Sequence, residues 1–171
     1  MRNLYAGFFV VVLFVLSALA GYGQETRPAR NTFYAQLSSQ ASPYSLNYDR
    51  IFHIGEKLSY AFRVGFALNK NDISAPLGIS AFTGKGDHHF EFGGILIPYV
   101  YMPKTENKSN NSDLYLYLIP HAGYRYQRKN GGLFFKANAG PSIFCDPPSD
   151  NFWNMQPKLQ AYGGLSLGFS F

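Results

Sequence analysis

The chain has 171 residues, 46% of them hydrophobic, 18% aromatic and only 15% charged, with 17 Gly, one Cys and a formal charge of +5. That length suits one domain and leaves no room for a two-domain enzyme, while so many aromatics beside so little charge exclude a disordered chain. The lone Cys excludes a disulfide-stapled scaffold and a multi-Cys zinc site, and the basic residues are scattered, without the stripe or motif that nucleic acid would require.

Residues 1–23 read as a secretory signal peptide. Met1-Arg2-Asn3 carries one positive charge, the apolar run includes Phe8 to Leu16, and small residues follow from Ala18 to Gly23. Charge, apolar run and small residues in that order form an export signal. Cleavage is expected after Ala20 or Gly23, with Gly23 favoured, leaving Gln24 first. The alternative, a retained transmembrane anchor, would need about 20 apolar residues, and the run is short for that. No Cys follows the run, which argues against lipoprotein anchoring. The mature domain is then 24–171.

From Gln24 onward no stretch keeps a helical repeat, and alternation dominates. Eight segments follow, at 31–39, 43–52, 57–68, 73–84, 87–101, 113–127, 130–144 and 157–171. In 57–68, Leu58, Tyr60, Phe62, Val64, Phe66 and Leu68 alternate with Ser59, Ala61, Arg63, Gly65 and Ala67. In 130–144, Leu133, Phe135, Ala137, Ala139 and Ile143 oppose Lys136, Asn138, Gly140 and Ser142. In 157–171, Leu159, Ala161, Gly163, Leu165, Leu167, Phe169 and Phe171 oppose Gln160, Tyr162, Gly164, Ser166, Gly168 and Ser170. The later segments exceed the roughly 9–11 residues that a tilted strand needs to cross a bilayer core.

The connections alternate in character. Ile54-Gly55-Glu56, Gly84 to Asp87 and Arg128 to Gly132 are tight and carry Gly where a turn wants positive φ. The others are expected to be mostly longer and polar, above all Pro103–Asp113 and Cys145–Pro157. Short turns at one end and long loops at the other describe an outer-membrane barrel with periplasmic turns. The expected fold is all-β, an eight-stranded antiparallel up-and-down transmembrane β-barrel.

A soluble eight-stranded barrel of the lipocalin kind shares the alternation, with its apolar face inside around a small hydrophobic ligand. The composition of the polar face favours the membrane form. It is largely small (Gly65, Gly93, Gly123, Gly140, Gly164, Ser166), where a water-facing wall would carry many Lys and Glu. Small side chains suit a narrow barrel interior. On the apolar face Tyr60, Phe90, Tyr99, Tyr101, Tyr124, Tyr126, Phe169 and Phe171 stand near strand ends, as interfacial girdles do.

The stretches Ser45–Phe52, His88–Gly94, Gly123–Gln127, Gly131–Lys136 and the ending Gly163–Phe171 carry a family likeness. Over about residues 40–171 the chain resembles the small outer-membrane β-barrel proteins of Bacteroidetes-type Gram-negative bacteria. That resemblance implies location and fold, and says little of activity. By the same resemblance Tyr162, Leu167, Phe169 and Phe171 would form the signal read by the barrel-assembly machinery. Ser166 stands where a stricter form of that signal would have Gly.

Candidate chemistry is sparse. Asp49, Arg63, Glu91, His121, Arg125 and Lys136, together with His89, fall on the inward face, where charges must pair or be hydrated. A polar network that plugs the lumen is the expectation, with a narrow polar pore as the alternative. A lipid-modifying enzyme, such as a lipid A deacylase or palmitoyltransferase, would need Ser, His and a carboxylate in mutual reach; no Gly-x-Ser-x-Gly occurs, and no catalytic site is expected. His88 and His89 are neighbours on a strand and point to opposite faces, so no metal and no cofactor is expected. Cys145 reads as a free thiol without a role. Phe152, Trp153 and Met155 form an apolar group in an external loop, either a contact site or a headgroup anchor. The expected partners are outer-membrane lipid, the assembly machinery and an unidentified external contact.

Overall fold

The computed structural model describes residues 28–102, 113–145 and 157–171. Residues 1–27, which include the expected signal peptide, and 103–112 and 146–156, with Phe152, Trp153 and Met155, lie outside the described residues.

The described residues form nine strands: β1 Asn31–Ser38, β2 Tyr44–Ile54, β3 Leu58–Leu68, β4 Asp72–Ser74, β5 Leu77–Thr83, β6 His88–Tyr101, β7 Asp113–Gln127, β8 Gly132–Cys145 and β9 Lys158–Ser170. Each pairs antiparallel with its neighbour, and β1 pairs with β9, so the sheet closes on itself. The short β4 and β5 make one stave. Both pair with β3 and with β6 in unbroken register, Ala67 with Ser74 and Val64 with Leu77 on one side, Asp72 with Tyr101 and Leu77 with Leu96 on the other. The fold is therefore a closed eight-stranded antiparallel barrel.

The single strand expected at 73–84 is corrected to two. Pro76 has no N–H to give the ladder, so the stave breaks at Ala75-Pro76. The gap is held by the Gly65 N–H donating to the Pro76 carbonyl at 2.7 Å and the Ala75 N–H donating to the Pro98 carbonyl at 3.1 Å. Pro120 and Pro141 face each other across β7 and β8. The ladder pairs Leu118 with Ile143, skips these residues and resumes at Ala122 with Ala139 in the same register. Placing both donor-free residues opposite one another confines the loss to one rung. In β2 the register slips by one at Phe52, a bulge that carries the strand on to Ile54.

The turns at one end follow the sequence chemistry. Gly84, Gly131 and Gly132 have φ of 90°, 83° and 110°, a region that costs other residues strain. At Gly131 a Cβ would also stand 2.6 Å from the Ser170 carbonyl oxygen. At the other end the expectation of mostly long loops holds for two connections only. The β1–β2 and β3–β4 connections are short, 39–43 and 69–71. Ala41 absorbs the tight first of these with a positive φ of 58°.

Period-two alternation sends each strand's residues to two solvents. The outer wall carries Phe33, Leu46, Phe66, Ile79, Leu118 and Leu165, from 44% to 67% exposed. The inside holds the charges, among them Asp49, Glu91, Arg125 and Lys136, all 2% exposed or less. Beside its small residues the inner face also carries large ones. Tyr34, Phe82, Phe134 and Tyr162 point inward with Ile51, Ile95, Ile97 and Ile119. These large side chains narrow the bore.

Candidate functional site

The inward charges meet across the lumen. Asp49 comes from β2, Glu91 from β6, Arg125 from β7 and Lys136 from β8. Arg125 Nη1 donates to Asp49 Oδ2 at 3.1 Å and to Glu91 Oε2 at 3.0 Å. Lys136 Nζ donates to Glu91 Oε1 at 3.0 Å and stands 3.6 Å from Asp49 Oδ2. Two carboxylates and two cations thus form a closed, balanced set, and the strands they join lie on opposite sides of the barrel. Buried ions tolerate their desolvation only when paired and hydrogen-bonded this fully.

The surrounding side chains complete the set. The Tyr34 hydroxyl donates to Asp49 Oδ1 at 2.7 Å. Arg125 donates from Nε and Nη2 to the Gln127 side-chain oxygen at 2.8 and 2.6 Å. Its guanidinium lies between two rings, 4.5 Å from the centroid of Phe82 and 5.0 Å from that of Phe134. Lys136 Nζ sits 5.2 Å from the Tyr34 ring. Cation–π contacts gain strength in such a dry place.

Arg63 stands apart from the set. Although Arg63 is Asp49's cross-strand partner, its side chain turns toward the loop end and donates from Nε and Nη2 to Asn47 Oδ1 at 3.0 and 2.7 Å. His121 Nε2 approaches Glu91 Oε1 at 3.5 Å from above the network. His89 is buried with Nδ1 2.5 Å from the Thr83 carbonyl, and its ring packs edge-on against Phe82. His88, its neighbour, is exposed on the outer wall beside the Tyr124 hydroxyl. The two imidazoles do not converge.

The proposed assembly residues fall on two faces. Leu167, Phe169 and Phe171 are exposed on the outer wall, whereas Tyr162 is 4% exposed inside, where Gln36 Nε2 donates to its hydroxyl. Cys145 is a partly buried free thiol at the end of β8. Sequence reading missed the aromatic half of the site. Tyr34, Phe82 and Phe134 hold the charged layer in place, and parity alone would have found Phe134, two residues before inward Lys136.

Comparison with protein-family models, curated proteins and solved structures yields no match to this chain.

Proposed function

We propose that the chain is a small outer-membrane β-barrel whose role is structural or one of surface contact through the loops opposite the turns. The observation that carries this reading is the inversion of the two faces. Large apolar side chains stand outside all round the barrel, and ions are sealed inside. Water would make that wall an aggregation surface, since monomeric soluble proteins rarely expose apolar patches beyond a few hundred Å². Hydrocarbon makes it the favoured surface, and closure leaves no unpaired strand edge in lipid. The exposed row Leu167, Phe169 and Phe171 on the last strand fits reading by the barrel-assembly machinery. Lipid is the resident partner, and the role is contact and support rather than catalysis.

Export and location are tested by expressing the full chain in a Gram-negative host and running the membrane fractions on gels, unheated and boiled. A heat-modifiable band in the outer-membrane fraction is expected. A soluble periplasmic product without a mobility shift would overturn the reading and favour the lipocalin-like carrier.

The barrel is closed rather than porous. The Asp49–Glu91–Arg125–Lys136 layer spans the bore. In planar bilayers the purified protein is expected to give no discrete single-channel steps. Reproducible steps that shift on neutralising Arg125 would mean that the layer conducts.

A further inference from the structure

The charged layer crosses the turn-side part of the lumen, and the mouth below it is hollow. A cavity of about 420 Å³ opens there. Its inner wall includes Ile51 and Phe82, which with Ala61 form one packed apolar cluster, and Ile54 continues that wall toward the rim. Phe82 lines the hollow and also stands against the Arg125 guanidinium, and Gln127, which accepts from Arg125, lines it too. The rim has the opposite chemistry. Among the described residues that line the opening, Lys85, Arg128 and Lys129 stand exposed against one carboxylate, Glu56. An apolar hollow of this size with a few polar groups at its mouth is the usual form of a small-molecule site, and barrel mouths are a usual place for one.

We infer that this mouth binds a single-chain anionic amphiphile, a free alkyl carboxylate, with its tail against Ile51 and Phe82 and its head among Lys85, Arg128 and Lys129. The tail is driven in because Ile51, Ile54 and Phe82 give the wall an apolar stretch, with Ser59, His89 and Gln127 as its few polar groups. The head stays at the rim, where three cations outnumber one carboxylate and its own charge remains partly hydrated. A cationic amphiphile meets the same wall with the wrong sign at the rim. The site needs only the barrel, so it stands whether or not the protein resides in the outer membrane.

The chain's isoleucines make the test specific. Ile51 and Ile54 line the mouth, Ile79 is 63% exposed on the outer wall, and Ile95 and Ile119 are buried elsewhere in the lumen, in no more than 1% contact with solvent. The barrel, refolded in lipid nanodiscs with labelled isoleucine methyls, is titrated with decanoate and with decyltrimethylammonium. Decanoate is expected to give saturable shifts at Ile51 and Ile54, with Ile95 and Ile119 still. The cation is expected to bind there about tenfold more weakly, the scale of two or three screened surface charges. Ile79 reports partition into lipid and responds to both. The exposed double variant Lys85→Glu, Lys129→Glu is expected to lose the preference for decanoate while keeping its heat-modifiable migration. Equal saturation by both probes overturns the inference, as does a charge-reversed variant that still prefers decanoate. Shifts at Ile79 alone also overturn it, the hollow then being closed to ligand.

Discussion

Glu91→Ala is expected to remove about 3–5 kcal/mol of unfolding free energy, the cost of breaking a buried ion pair from one side. Glu91 is fully buried and accepts from both Arg125 and Lys136 at 3.0 Å. Without it, two buried cations face Asp49 alone. Urea titration of the refolded barrel in lipid vesicles, followed by the mobility of unboiled samples, reads the loss. The double variant Glu91→Met, Lys136→Met removes one charge of each sign and leaves Asp49 with Arg125. It is expected to recover most of the stability, because apolar replacement of a whole buried pair is often neutral. A loss below about 1 kcal/mol in the single variant would place these ions in the class of solvated pairs and require water throughout the lumen.

Leu165→Arg separates the two solvents for the outer wall. Leu165 lies mid-strand in β9, 56% exposed, between Ala137 on β8 and Leu37 on β1. If that wall meets lipid, a charge near the bilayer midplane costs about 2–4 kcal/mol. If it meets water, a surface substitution away from special features changes stability by no more than about 0.5 kcal/mol. The expected result is the large loss, measured by the same urea titration in vesicles. Leu133→Arg at the start of β8, beside the turns, is the internal control, since the cost falls to about 0–1 kcal/mol near the interface.

Much of this architecture was legible because a barrel strand speaks in parity. Once Lys136 and Asn138 are assigned inward, Leu133 and Phe135 are outward with no further information. The turns were legible from Gly84 and Gly131, whose φ values no side chain adopts cheaply. What parity cannot do is read through a run such as Gly94-Ile95-Leu96-Ile97, apolar on both faces. There Ile95 and Ile97 point in, and Leu96 points out, 37% exposed. Nor does a proline announce whether it will break a stave, as Pro76 does, or sit within one, as Pro120 and Pro141 do by sharing a rung. The inward charges could be named from the sequence, but not their partners. Arg63 is opposite Asp49 in register, yet Asp49 goes to Arg125, 76 residues away. That choice is made by side-chain reach across the bore, a three-dimensional quantity with no local trace.

The seam between the first strand and the last carries a consequence for how the molecule comes into being. Seven residue pairs run from Thr32 with Ser170 to Ser38 with Gly164. Asn31 and Phe171 exchange backbone hydrogen bonds at its end. No shorter product can therefore be a smaller version of the whole. A chain ending before β9 presents the open edges of β1 and β8 and an apolar wall with no closure, which is a template for joining other chains. Closure also depends on contacts between the most distant parts of the sequence, the slowest kind to find. Until its final strand arrives, the sheet stays open at two edges.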